Sequence, residues 1–239
     1  MYSNDFPLRL YAAHVNAPEH VLKKWYELMP ESRRQKADRF KNEPDRHRCI
    51  TAYALLAFGI RDIAKDTGIE LSDSIKDPLP VEAGEDGKPF IASLPFMFNI
   101  SHSGDRVIVA FSPREVGCDV EKKSRSALRI AKQFFAKEEY EHLLSIEDEA
   151  AIQNEFTGLW TLKESVVKCC GEGIRHPLND FCLVDDKGNR KRKIRLKDRD
   201  SVYHVREYES ENGYHYGVCS LSEDMEDEMR FVSWEMISK

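Results

Sequence analysis

The sequence predicts an α+β protein of two similar halves related by a pseudo-twofold. Each half is a small, mostly antiparallel sheet packed with one long helix. Three observations predict this. Asp45 to Lys65 and Asp148 to Cys170 are long segments that read as helices, with glycines (Gly68, Gly171) at their ends. Short β-like stretches set off by turn residues follow each of them. Arg106 to Phe111 puts Val107, Val109 and Phe111 on one side and Ile108 and Ala110 on the other, so both faces are apolar, as in an interior strand. The order strand, helices, long helix, short strands occurs twice and divides the chain into 1–112 and 113–239. No sequence repeat accompanies it, so the symmetry rests on element order.

The elements follow in order. Leu8 to Ala12 reads as a first strand. Pro18 to Met29 reads as a helix with proline in its first turn, and Pro30 ends it. Glu31 to Phe40 is a polar, basic helix, and the first long helix carries Ile50, Tyr53, Ala54, Ala57, Phe58 and Ile60 on its apolar face. Prolines and glycines between Asp73 and Pro95 predict loop with short extended pieces, Asp86-Gly87 being a turn into Lys88 to Ile91. Phe96 to Ile100, Arg106 to Phe111 and Val116 to Glu121 are strands. Ser126 to Phe135, capped near Ser124, and Lys137 to Leu144 are helices before the second long one. After Pro177, Val202 to Tyr208 and Tyr214 to Ser220 alternate about an Asn212-Gly213 turn.

At 239 residues the chain is long enough for a sizeable core, and 41% hydrophobic with 33% charged residues excludes a largely disordered chain. A net charge of −6 argues against a general nucleic-acid binder. Six cysteines without a CxxC pair indicate reduced thiols and a cytoplasmic protein. The start lacks a signal-peptide pattern, and the longest apolar run, Ile50 to Ile60, is too short to span a bilayer.

Four segments carry candidate chemistry. Asp119 and Glu121, two apart on a strand, look the same way, and two adjacent carboxylates need a proton or cation between them. Hard oxygen ligands of this kind suit Mg²⁺ beside substrate phosphates. Glu164 and Lys168, four apart on the second long helix, share a face, with Trp160 one turn earlier. Leu159, Trp160 and Val167 are expected to fix that helix against the sheet. Asn99-Ile100-Ser101-His102-Ser103-Gly104, directly after a strand, offers hydroxyls, an imidazole and main-chain N–H groups to phosphate oxygens. The basic residues from Arg33 to Arg48 suit a phosphate monoester. Taken singly, each is better read as a solvated edge strand, a surface ion pair, a polar turn or a charged helix face. A second basic cluster, Lys187 to Arg199, reads as a solvated face or as a surface for an acidic partner.

Jointly and in this order, the segments resemble a known family. Gly117-Cys118-Asp119-Val120-Glu121 with Trp160-Thr161-Leu162-Lys163-Glu164 and Lys168 resembles the two signature motifs of the 4′-phosphopantetheinyl transferases. Phe98 to Ser103 stands where that family has a third motif, and Gly87-Lys88-Pro89 resembles its Gly-Lys-Pro loop. Length and motif order are similar to the larger, surfactin-type branch, a monomer of two similar halves. Cys118 replaces the usual aliphatic residue and Arg33 a common lysine, both tolerable changes.

The resemblance implies transfer of the phosphopantetheine arm of coenzyme A to a serine of an apo carrier protein. It implies a Mg²⁺ ion, with Mn²⁺ an alternative, held by Asp119, Glu121 and Glu164. Glu164 would be the base for the serine proton, directly or through a bound water. Lys168 and His102 would hold pyrophosphate oxygens with Ser101 beside them, Lys88 and Pro89 would border the adenine, and Arg33, Lys36 and Arg48 would take the 3′-phosphate. Neither nucleic acid nor membrane is implied as a partner. Phe134, Phe135 and Tyr140 are candidates for carrier contact, with core packing the alternative for the phenylalanines. Two other functions stay open: a coenzyme- or carrier-binding protein without catalysis, and a metal-dependent phosphohydrolase.

Overall fold

The computed structural model describes residues 5–84, 87–123, 127–171, 176–197 and 199–238. In chain order the elements are β1 (Arg9–His14), α1 (Glu19–Leu28), α2 (Glu31–Asp38), α3 (Glu43–Thr67), β2 (Glu82–Ala83), β3 (Pro89–Phe90), β4 (Met97–Ser103), β5 (Arg106–Ser112) and β6 (Val116–Lys122). They continue with α4 (Ala127–Phe134), α5 (Lys137–Leu144), α6 (Glu149–Cys170), β7 (Lys193–Arg195), β8 (Val202–Glu211), β9 (Tyr214–Ser220), β10 (Arg230–Phe231) and α7 (Trp234–Ile237). The expected turn residue Asp86, the cap near Ser124 and the start of α4 at Ser126 lie outside the described residues.

The chain forms two compact units: residues up to Pro113 together with those from Asp224 onward, and Arg114–Glu223. Each holds a small sheet and a long helix, as expected, and the sheet in each has four strands. The expected boundary, 113–239 for the second half, differs at the C-terminal end. There Tyr11 and Ala12 of β1 pair in parallel with Arg230 and Phe231 of β10, and Trp234 donates its indole N–H to the His14 carbonyl at 2.9 Å. A side-chain cluster holds this return: Arg9 meets Glu226 and Asp66, each at 3.1 Å, and Arg230 meets Asp62 at 3.0 Å.

In the first unit the sheet order is β10-β1-β5-β4. The long helix α3 starts where Asn42 caps it, accepting from the Asp45 N–H at 2.9 Å, and stops at Gly68, whose φ of 71° suits glycine. Its residues Tyr53, Leu56 and Ile60 join Tyr11, Val107, Val109 and Phe111 in one core. Gly59 lets the Phe111 ring lie against the helix; a Cβ there would strike it. Ile108 and Ala110 are fully buried too, as the apolar alternation of an interior strand requires.

In the second unit the order is β6-β9-β8-β7, all antiparallel. Asp148 caps α6, accepting from the Ala151 N–H at 2.6 Å, and Gly171 ends it with φ 77°. Leu159, Leu162, Val166 and Cys169 pack on Tyr203, Val205 and Cys219. Trp160 departs from expectation. Rather than facing the sheet with Leu159, it stacks on Phe135 and Phe156, with centroids 6.3 and 5.9 Å away. Among the described residues no helix is long and apolar enough to cross a membrane.

Candidate active site

Two glycines decide how β6 and β9 meet α6. A Cβ at Gly117 would run into the backbone of Ser165 and Cys169, and one at Gly217 would lie 3.1 Å from the Thr161 carbonyl oxygen. Gly117, Asp119 and Glu121 share one strand face, so the face that touches α6 carries both carboxylates toward it. Asp119 is buried and Glu121 half-buried.

The helix answers with two of its own groups. The Lys168 ammonium meets Asp119 Oδ1 at 2.5 Å. Burial works against that charge, but Asp119, with Cys118 and Glu164 behind it, outweighs burial and holds the ammonium above the usual lysine range. Burial pushes the Glu164 carboxyl up, and the charge of Asp119 pushes it further, with Lys168 acting the other way. Asp119, Glu164 and Lys168 are thus one electrostatic group in the second unit. The oxygen donors of Asp119, Glu121 and Glu164 are of the type a hard divalent cation takes. Among the described residues no three His, Cys, Asp or Glu side chains are gathered tightly enough to hold a metal ion. Here the Lys168 ammonium supplies the positive charge at Asp119.

In the first unit the predicted residues fall on α2, α3, the β2–β3 hairpin and β4. Arg33 and Lys36 lie on α2 close enough to Cys49 of α3 to act on its thiol, which burial nonetheless raises. Arg33 Nε is buried, with no hydrogen-bond partner among the described residues. Arg48 donates to the Gly104 carbonyl at 2.6 Å and also bonds the Asp45 carboxylate. Asp45, held low by Arg48 and Asn42, also lies within the electrostatic reach of His102. Arg48 and His102 are therefore brought together around Asp45, a residue the sequence marked only as a helix start. Lys88 and Pro89 are half-buried, and the Gly84 N–H bonds the Lys88 carbonyl at 2.9 Å.

One expectation is corrected here. Ser101, His102 and Ser103 do not follow the strand; they belong to β4, paired with Ile108, Val107 and Arg106 of β5. Strand alternation then sends Ser101 and His102 to opposite faces: exposed His102 shares its side with Phe98 and Ile100, while Ser101 is buried on the other. The polar letters suggested a turn, but β5 is apolar on both faces and its ladder claims them.

Sequence reasoning gave no role to two polar networks that the fold encloses wholly or in part. Lys163 is wholly buried, with its ammonium 2.7 Å from Glu139 and donating to the Leu178 and Phe181 carbonyls at 2.7 and 2.9 Å. Burial pulls its pKa down against Glu139, which props it up. A second network joins Asn154 of α6, Glu207 of β8 and His215 of β9, with His215 Nδ1 2.9 Å from Glu207; His215 lies directly across the ladder from Glu121. Of the carrier-contact candidates, Phe135 is buried and Phe134 is 40% exposed.

Carboxylate oxygens beside a lysine on a strand–helix contact are groups that suit a phosphate-rich ligand and a hard cation. A model of the 4′-phosphopantetheinyl transferase superfamily matches residues 115–219. The chain is 32% identical over 231 residues to the 4′-phosphopantetheinyl transferase Sfp of Bacillus subtilis (strain 168), covering 95% of this chain and 99% of that one. It is 31% identical over 234 residues to the 4′-phosphopantetheinyl transferase ffp of Bacillus subtilis, covering 96% and 100%. A shorter match, 38% over 96 residues, joins it to the 4′-phosphopantetheinyl transferase AcpT of Escherichia coli (strain K12), covering 38% and 49%. The chain belongs to the 4′-phosphopantetheinyl transferase family and is an enzyme of its surfactin-type branch.

Proposed function

We propose that this enzyme transfers the 4′-phosphopantetheine arm of coenzyme A to a serine hydroxyl of an apo acyl, peptidyl or aryl carrier protein, releasing adenosine 3′,5′-bisphosphate. The observation that carries the reading is the Asp119–Glu164–Lys168 group on the close β6–α6 contact. Asp119, Glu121 and Glu164 are the residues that would hold Mg²⁺ or Mn²⁺, which when bound neutralises charge on the pyrophosphate. Glu164 takes the serine proton, directly or through a bound water. Lys168, 30% exposed at its side chain, turns its ammonium from Asp119 to the pyrophosphate oxygens, with His102 as a further donor to coenzyme A; Ser101, buried on the opposite face of β4, is left out of that set. Arg33, Lys36 and Arg48 take the 3′-phosphate. The buried Nε of Arg33, unpartnered among the described residues, and the Asp45 and Gly104 anchors of Arg48 suit preorganised donors of this kind. Lys88 and Pro89 border the adenine.

The test is the intact mass of an apo carrier protein incubated with the enzyme, coenzyme A and Mg²⁺. A gain of one phosphopantetheine, about 340 Da for that covalent group, is expected. Release of free phosphopantetheine without carrier labelling would point to hydrolysis instead. Coenzyme A binding without turnover on several carriers would point to a binding protein.

A further inference from the structure

We infer that the outer edge of the second unit's sheet docks an acidic, extended segment of a partner protein, added as a strand beside β7. The second basic cluster lies outside the residues proposed for the transfer, and the structure divides it sharply. Arg190 is consumed internally, bonding Glu155 at 2.5 Å and Glu207 at 3.3 Å. Lys191, Arg192, Lys193, Arg195 and Lys197 follow it, and among the described residues none has a carboxylate within ion-pair distance. Among the described residues these cations meet no carboxylate, on a chain whose net charge is −6; Arg195 is steadied by the Asp200 carbonyl, to which its Nη1 donates at 2.7 Å.

Burial alternates along this run: Ile194 and Leu196 enter the core, while Lys193, Arg195 and Lys197 are exposed on the opposite side. The main chain alternates with it. The Arg192 carbonyl accepts from Val205 N–H of β8 at 2.9 Å, and the Lys191 N–H points the other way, to the Leu183 carbonyl at 2.8 Å. Antiparallel geometry then turns the N–H and C=O groups of Lys193 and Arg195 outward, beyond the point where Leu183 covers the edge. Among the described residues no main-chain bond reaches them from that side. Over the β7–β8 pair, beside this edge, lies a cleft of about 520 Å³ lined by Lys193, Ile194, Arg195, Val202, His204 and the carboxylate-bearing Glu223.

These features choose the occupant. Edge lysines keep like edges apart, so a second copy presenting this strand is repelled. An extended segment with acids at alternate positions meets Lys193, Arg195 and Lys197 across the new ladder, where opposite charges stabilise the pairing. Its backbone completes the four outward groups.

The experiment uses the full chain and a short fluorescein-labelled peptide alternating glutamate with valine or threonine. Saturable anisotropy at low salt is expected, weakened about tenfold or more in Lys193→Glu/Arg195→Glu/Lys197→Glu. The milder Lys193→Gln/Arg195→Gln is expected to weaken it in the same direction should the triple variant fail to fold. Carrier modification is expected to be unchanged in either folded variant, so this test and that of the transfer reaction fail separately. N-methylation of alternate peptide amides should also weaken binding. Absence of saturable binding, equal affinity of the methylated peptide, unchanged affinity of the folded variants, or tighter binding of single-stranded RNA would each overturn the proposal.

Discussion

Replacing Glu139 by glutamine removes the only carboxylate among the described residues that meets the buried Lys163 ammonium. Both side chains have no solvent exposure, so water does not substitute for the lost partner. Lys163 keeps its two carbonyl acceptors, Leu178 and Phe181, and the Phe181 ring 4.3 Å away, but its charge stays uncompensated. Glutamine also surrenders one of two backbone caps, because Glu139 accepts from both Ala136 N–H at 3.0 Å and Leu183 N–H at 2.8 Å. Breaking a buried pair from one side costs about 3–5 kcal/mol. For a chain of this length, ~3 kcal/mol corresponds to a Tm lower by about 6–12 °C. Thermal melting followed by circular dichroism measures it in Glu139→Gln, Lys163→Met and the double variant. The double variant removes both charges and should be at least about 2 kcal/mol more stable than the sum of the single losses predicts. Additive losses, or a Glu139→Gln melt within about 2 °C of the parent, would show that the pair contributes nothing as a pair.

Four further outcomes follow. Glu164→Ala should leave the melt near that of the parent while lowering carrier modification by about 10²-fold or more; near-normal turnover in a carrier assay would remove Glu164 from its role. Excess chelator should abolish modification and added Mg²⁺ restore it, and full activity in chelator would reject the three-carboxylate site. Gly117→Ala should destabilise by about 1–3 kcal/mol, since the new methyl meets helix backbone rather than a movable side chain; an unshifted urea midpoint would contradict this. Burial pushes the Glu207 carboxyl up, but the hydrogen bond from His215 and the charge of Arg190 outweigh it and hold it below the ordinary carboxylate value. A depressed carboxyl pKa stabilises above the unfolded-state value and loses that contribution as pH falls through the folded one. Stability should therefore decline below about pH 4.5, and less steeply in Glu207→Gln. Parallel acid-melting curves for the two proteins would refute the assignment.

Much of the fold was legible because its signals are local. Asn42 and Asp148 at the starts of α3 and α6, Gly68 and Gly171 at their ends, and Asn212-Gly213 between β8 and β9 act through neighbouring backbone, so sequence alone reveals them. The return of β10 to β1 was not legible, because two-residue pairing carries no periodicity and its anchors, Asp62 and Arg230, lie far apart in the chain. The polar end of β4 misled for the opposite reason: its composition speaks of a turn, while the partner that makes it a strand is β5.

The candidate site divides along the same line. Within Trp160 to Lys168, spacing alone puts Glu164 and Lys168 on one helix face, and the structure gives both to Asp119. Spacing does not say that Lys163, one residue from Glu164, points into the core. A helix advances about 100° per residue, so neighbouring charges reach different surroundings, and only the tertiary partner Glu139 makes a buried lysine tolerable there. Lys163 fixes α6 to α5 and to the 178–181 turn from one side, while Gly117 and Gly217 let β6 and β9 close on it from the other. Glu164 sits between these constraints. A Lys163→Met variant that still folds should therefore lose transfer rate at saturating coenzyme A while its coenzyme A KM stays close to the parent's. A rise in KM alone would put Lys163 in substrate binding rather than in holding the helix.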